Sequence, residues 1–235
     1  MAINVNSVYR VVLSVLNKEQ RGYLTPDQFN RLGKQAQLGL LDKSFYDYNR
    51  HLTRRNIQGV NSEYGDIADR IEEKIDVLSR EASISLTSGV YDTGNLSDTI
   101  YKIIQVTTDS RATEVEQVKK SEFTYMNASK LTAPTTDFPA YYLEGENIKI
   151  FPTTITSAVL DYIKKPADPV WAFTVGGNGQ YVYDDVNSKD FELHPSEETD
   201  LVIKILALAG VVIKDPTLVQ AAATEEANNF NQENS

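Results

Sequence analysis

Tyr142-Leu-Glu-Gly-Glu-Asn-Ile-Lys-Ile-Phe-Pro152, continued by Val159-Leu-Asp-Tyr-Ile-Lys-Lys-Pro-Ala-Asp-Pro-Val-Trp171, is the stretch from which the fold can be read. β-Rich runs flank Glu144-Gly145-Glu146-Asn147, where glycine supplies the positive φ that a tight turn needs, so strands are expected at about 140–144 and 147–151. A further strand is expected at about 156–164, with its exit locked by Pro166 and Pro169. Beyond it, Gly176-Gly-Asn-Gly179 turns another pair, at about 170–175 and 180–184. Together these read as a meander of antiparallel strands.

Upstream, the period is helical. Val5, Val8, Tyr9, Val12, Val15 and Leu16 fall on one face of a helix over 5–17, which the loop Arg21-Gly22-Tyr23 breaks. Thr25-Pro26-Asp27-Gln28 is a start signal, with a Thr cap, Pro at the first helical position and Gln closing a capping box. Phe29, Leu32, Ala36 and Leu40 then line the second helix, and past Leu41 the chain turns aromatic and basic up to a loop near Gly59. A third helix is expected over about 63–80, with Ile67, Ile71, Ile75 and Leu78 inward.

Residues 99–107 and 113–119 are β-rich around the turn Asp109-Ser110-Arg111, and Ser121 can cap a short helix at about 121–130. The linker Ala133-Pro-Thr-Thr-Asp-Phe-Pro139 follows. Residues 197–213 read as an apolar helix, stopped by Lys214-Asp215-Pro216 before a last helix to about Asn229 and a polar tail. The expected class is α+β, with terminal helices packed with a central antiparallel β-domain. Its expected divisions are a helical region at 1–82, a β-rich domain with an inserted helix at 83–194, and helices with a tail at 195–235.

The chain has 235 residues, 41% of them hydrophobic, enough for a sizeable core, and its lack of cysteine excludes disulfides and thiolate chemistry. Met1-Ala-Ile-Asn-Val-Asn-Ser has no basic or apolar leader pattern, so no signal peptide is expected. The apolar run from Leu201 to Ile213 is shorter than the ~20 residues that span a bilayer. The net charge of −10 is uneven: residues 1–58 sum to +5 and residues 59–235 to −15. Such polarity suits stacking against a like or complementary neighbour, or is simply a soluble surface.

Signatures of chemistry are weak. His51 and His194 are the only histidines and neither adjoins a nucleophile elbow. Asp184-Asp185, Glu197-Glu198 and Glu225-Glu226 are adjacent carboxylates that point apart, and Asp185-Val-Asn-Ser-Lys-Asp190 lacks the glycine and the final glutamate of a calcium loop. Gly176-Gly-Asn-Gly179 lacks the ending of a phosphate-binding loop. We therefore expect no catalytic residues, no metal and no cofactor. Arg50, Arg54 and Arg55, interleaved with Tyr46, Tyr48 and His51, have the composition of a nucleic-acid patch, but a pI near 4.8 favours docking onto an acidic protein surface. Trp171 and Tyr162 beside Pro166 and Pro169 form either an aromatic ligand shelf or a core pin.

Three pieces resemble virion ring, or head-to-tail connector, proteins of crAss-like and related podovirus-type phages. They are Leu16-Asn-Lys-Glu-Gln-Arg-Gly-Tyr-Leu-Thr-Pro-Asp-Gln-Phe-Asn30; Ile148-Lys-Ile-Phe-Pro152 with Asp161-Tyr-Ile-Lys-Lys-Pro166 and Pro169-Val-Trp171; and Asp200-Leu-Val-Ile-Lys-Ile-Leu206 to Asp215-Pro216. The resemblance implies a non-enzymatic subunit of a portal-proximal ring, expected as a dodecamer. It would sit in the virion connector after assembly in the host cytoplasm, contact the portal and adjacent ring or tail proteins, and pass the genomic DNA without sequence-specific binding. An acidic lumen would let the DNA slide. Interfaces are expected at Tyr46, Tyr48, Arg50, Arg54 and Arg55 and at the tips Gly145, Gly177 and Asn178. Alternatives are a tail-tube or other virion structural protein, and a carbohydrate-binding module stacking sugars on Trp171, Tyr181 and Tyr183.

Overall fold

A computed structural model of the chain describes residues 2–18, 24–58, 65–108 and 113–213, with Gln220 and Thr224; the side chains of residues 18, 51–58, 65–69 and 211–213 are outside the description. The fold is α+β, with five helices and mainly antiparallel sheets among the described residues. Two compact units arise: one joins Met1–Val77 to Pro166–Ser235, the other is Leu78–Lys165. These contact-defined units cut the chain at other points than the sequence divisions 1–82, 83–194 and 195–235.

In the first unit, α1 (Val5–Lys18), α2 (Pro26–Gln58), α3 (Gly65–Asp76) and α5 (Glu198–Ile213) accompany the hairpin of β8 (Phe173–Val175) and β9 (Tyr181–Tyr183). Asn4 starts α1, its Oδ1 accepting from the amides of Asn6 at 3.1 Å and Ser7 at 3.0 Å. The capping box forms as expected: Thr25 Oγ1 accepts from Gln28 N at 3.3 Å, and Gln28 Oε1 accepts from Thr25 N at 3.1 Å. No glycine or proline interrupts the sequence between Leu41 and Gln58, and α2 runs on through the aromatic and basic segment.

Val5, Val8, Val12 and Leu16 of α1, Phe29, Leu32, Ala36 and Leu40 of α2, and Leu201, Ile205 and Ala209 of α5 share one core with Trp171, Phe191 and Leu193. Gly33 permits this packing, since a Cβ there would meet Phe191 Cζ at 3.1 Å. The buried Gln37 satisfies backbone on both sides, donating to Ala167 O at 2.8 Å and accepting from Glu192 N at 3.1 Å.

The second unit contains β1 (Ser79–Ser85), β2 (Val90–Asp92), β3 (Ile100–Thr108), β4 (Glu116–Gln117), α4 (Lys120–Ala128), β5 (Ala140–Glu144), β6 (Asn147–Phe151) and β7 (Ser157–Lys164). One sheet has the order β1-β7-β3 and the other β2-β6-β5-β4. Ile84, Val106, Leu160 and Tyr162 of the first meet Tyr141, Ile148 and Ile150 of the second in a common core. Both faces of β7 are buried, as befits a central strand.

Several expectations need correction. The third helix ends at Asp76, and Ser79–Ser85 is a strand paired with β7, because cross-strand bonding there outweighs the helical spacing that Leu78 extends. The strands are not a simple meander: β7 pairs with the distant β1 and β3, and β4 pairs with β5 in parallel. Ser121 does not cap α4; it is the second helical residue, and Lys119 holds the cap position, its amide donating to Glu122 Oε2 at 3.3 Å. The loop Arg21-Gly22-Tyr23, the turn Asp109-Ser110-Arg111 and the stop Lys214-Asp215-Pro216 lie outside the described residues. So does the last helix, apart from Gln220 and Thr224, which are helical.

Candidate functional site

The residues singled out from the sequence fall on separate elements of the two units. Tyr46 and Arg50 share a face of α2 by their four-residue spacing, whereas Tyr48 falls on the other side; Tyr46 is exposed, and Tyr48 and Arg50 are half-buried. Arg54 and Arg55 belong to the helical span of α2, but their side chains, like that of His51, lie outside the described residues. Gly145 turns the β5–β6 hairpin in the second unit with φ +63, and Gly177 and Asn178 form the exposed tip of the β8–β9 hairpin in the first. A Cβ added at Gly145 or Gly177 would meet nothing within 4 Å among the described residues, so there is open space beside both glycines, although the next residue in the first turn, Glu146, is tied by its carbonyl to Thr93 N at 2.9 Å.

Glu225 and Glu226 lie outside the described residues, and the other glycine-loop and carboxylate candidates, with His194, resolve into structure. His194 Nδ1 accepts from Ser196 N at 3.3 Å and lies 2.7 Å from Ser196 Oγ, capping the 3-10 turn Pro195–Glu197. Gly176-Gly-Asn-Gly179 is a hairpin tip, with Gly179 N donating to Gly176 O at 2.9 Å. Asp184 ties its own loop, accepting from Asn187 Nδ2 at 2.6 Å, and that hydrogen bond leads the causes holding its carboxyl below the ordinary aspartate value. Glu197 is buried, 3.2 Å from Ser44 Oγ and 3.9 Å from Lys74 Nζ. No cluster of His, Cys, Asp and Glu that could hold a metal ion occurs among the described residues, and no helix among them is long and apolar enough to cross a membrane.

The charge asymmetry along the sequence is partly spent within the first unit. Its early lysines meet late carboxylates, Lys34 with Asp168 at 2.6 Å and Lys43 with Asp200 at 4.0 Å. By sequence the second unit holds nine Lys/Arg against eleven Asp/Glu, a net of −2, so the −15 of residues 59–235 is concentrated outside it.

Two features stand out instead. In the first unit an aromatic series runs from Phe191 through Phe29, Tyr9 and Trp171 to the hairpin, with Tyr9 and Trp171 centroids 4.3 Å apart and Trp171 and Tyr183 centroids 5.5 Å apart. It ends at an open cleft of about 570 Å3 lined by Asn6, Tyr9, Arg10, Trp171, Tyr181 and Tyr183. Trp171 is only 4% exposed and donates from Nε1 to Asn6 Oδ1 at 3.1 Å, so the indole is a core pin and the cleft's floor, whereas Tyr181 is 40% exposed at its flank. Pro169 and Trp171 therefore belong to this unit's packing, while Tyr162 is buried in the core of the other.

In the second unit, α4 and the residues after it carry large apolar side chains out into solvent: Tyr125 is 79%, Leu131 93% and Phe138 81% exposed. The segment is nevertheless anchored. Phe123 packs between Tyr142 and Phe151 at centroid distances of 5.1 and 4.4 Å, and Glu144 bridges Lys120 and Lys149. Pro139 is buried, and its carbonyl accepts from Glu116 N at 3.0 Å. The sequence held one signal of this feature: Leu131 and Phe138 are apolar residues in a Thr/Pro-rich stretch with no period that could bury them.

Comparison with protein-family models yields no matching family, and comparison with curated proteins yields no matching relative.

Proposed function

We propose that this chain is a structural subunit of a phage head-to-tail connector, assembling through its surfaces into a closed ring next to the portal, through which the genome passes. The observation that carries the reading is the anchored segment that holds Tyr125, Leu131 and Phe138 in solvent. A chain gains nothing by fixing large apolar groups in water, and three of them within one short anchored segment suit a surface that another protein covers. The open space beside Gly145 and Gly177 at the two hairpin turns adds further points for a neighbour to meet. The three sequence pieces that resemble connector proteins supply the class of assembly. A ring closes through heterologous contacts, in which one face of each subunit meets a different face of the next.

Its partners on this reading are further copies of the chain, expected as a dodecamer, with the portal and adjacent ring or tail proteins, and DNA in transit only. A tail-tube or other virion structural protein would use the same exposed groups with different neighbours. The carbohydrate-binding reading has one observation in its favour, the meeting of Trp171, Tyr181 and Tyr183 at a single cleft. Burial of Trp171 leaves sugar stacking to the tyrosines, which is a smaller platform than the sequence suggests.

Native mass spectrometry of the purified chain, alone and mixed with the portal, tests the connector reading. Closed rings, or rings seated on the portal, are expected. A monomer in both samples, with saturable glycan binding, would overturn it.

A further inference from the structure

Resting on the ring reading, we propose that neighbouring copies join head to tail by seating the Asp137-Phe138 turn of one copy in the aromatic cleft of the next. The turn is built in advance. Thr135 N donates to Phe138 O at 3.2 Å and Phe138 N donates to Thr135 Oγ1 at 3.2 Å, closing residues 135–138 on themselves. Buried Pro139 fixes the base while Phe138 stays 81% exposed beside an exposed Asp137. An aromatic group held outward in this way loses little conformational freedom on docking, which lowers the entropic cost of association.

The cleft is complementary in chemistry and size. Its volume of about 570 Å3 lies within the ~300–1,000 Å3 of ordinary binding pockets. Tyr9 and Trp171 form its floor, and the Trp171 Nε1–H is already taken by Asn6, so the floor suits a ring that asks for no hydrogen bond. Arg10 is exposed at its margin, and neither Arg10 nor Asp137 has an ion-pair partner among the described residues. An acidic residue next to an aromatic one on the turn thus meets a cation next to aromatic rings in the cleft. Donor and acceptor are different surfaces, so the contact is heterologous and repeats from copy to copy until a ring closes.

The natural absence of cysteine makes the contact directly testable in the full-length chain. Arg10→Cys and Asp137→Cys variants, mixed and oxidised at high protein concentration, should give a mixed disulfide dimer in excess over either homodimer. The R10C/D137C double variant should give a ladder of covalent multimers. Phe138→Ala should weaken self-association by about tenfold or more in sedimentation, the size expected for truncating an aromatic anchor. Arg10→Asp and Asp137→Arg should each weaken it, and the two together should restore it, which general loss of folding would not do.

Wild-type rings without the mixed disulfide would overturn the contact and leave the ring reading standing. A wild-type chain that neither self-associates nor cross-links at high concentration, with or without the portal, would overturn both. Saturable oligosaccharide binding that Tyr181→Ala abolishes and Phe138→Ala leaves intact would assign the cleft to a sugar and overturn the contact.

Discussion

Glu144 accepts hydrogen bonds from Lys120 at the start of α4 and from Lys149 on β6, and these two bonds hold its carboxyl down at about 2. Its ordinary value is 4.5, so between those limits the unfolded or undocked form binds the proton more readily. The stabilisation is therefore complete above about pH 4.5 and is lost as the pH falls through about 2. Amide exchange of α4 should accelerate, relative to that of β7, as the pH drops through this window, and Glu144→Gln should remove the pH-dependent part. Because the carboxylate is exposed, added salt should weaken the effect. One residue further, Gly145 occupies φ +63 with open space around it. Gly145→Val should thus cost ~1–2 kcal/mol through backbone strain alone, read as a lower urea midpoint with an unchanged m-value.

At the scale of elements, the parts written in local signals were legible. The capping box at Thr25, the four core positions Phe29, Leu32, Ala36 and Leu40, and the strands on either side of Gly145 lie where the sequence places them. Thr25→Ala should lower stability by ~1 kcal/mol in chemical denaturation, the usual value of such a cap. The strand over Ser79–Ser85 was not legible, because Leu78 extends the helical spacing of Ile71 and Ile75, and only pairing with β7, far along the chain, decides its state. The capping role given to Ser121 failed for a local reason, since α4 starts one residue earlier under the Lys119 amide bond to Glu122. Besides the Lys120–Glu144 bond at its start, α4 is packed on its sheet through the Phe123 ring. Phe123→Ala should therefore raise amide exchange across α4 while leaving that of β5–β7 close to wild type, a local opening rather than global unfolding.

At the scale of the molecule, sequence pattern conveys class more readily than surface. The α+β class follows from periods, but the order β1-β7-β3 and the parallel β4–β5 pair depend on partners tens of residues apart. The same limit holds for the candidate site. Gly145, Gly177 and Asn178 could be read as turn tips from composition, whereas the exposure of Tyr125, Leu131 and Phe138 and the gathering of Tyr9, Arg10 and Trp171 at one cleft exist only once the chain is folded. Charge shows it from the other side: the first 58 residues and the rest look polarised, yet the fold pairs Lys34 with Asp168 and Lys43 with Asp200 inside one unit. Ring assembly on this account draws on apolar anchors more than on bulk charge, so self-association should persist at high salt while Leu131→Ser and Phe138→Ser each weaken it.

Immunogold electron microscopy of intact particles, with antibodies raised against this chain, bears most directly on the connector assignment. Label confined to the junction of head and tail is the predicted result; label spread along the tail or over the capsid, or none on the particle, would contradict it.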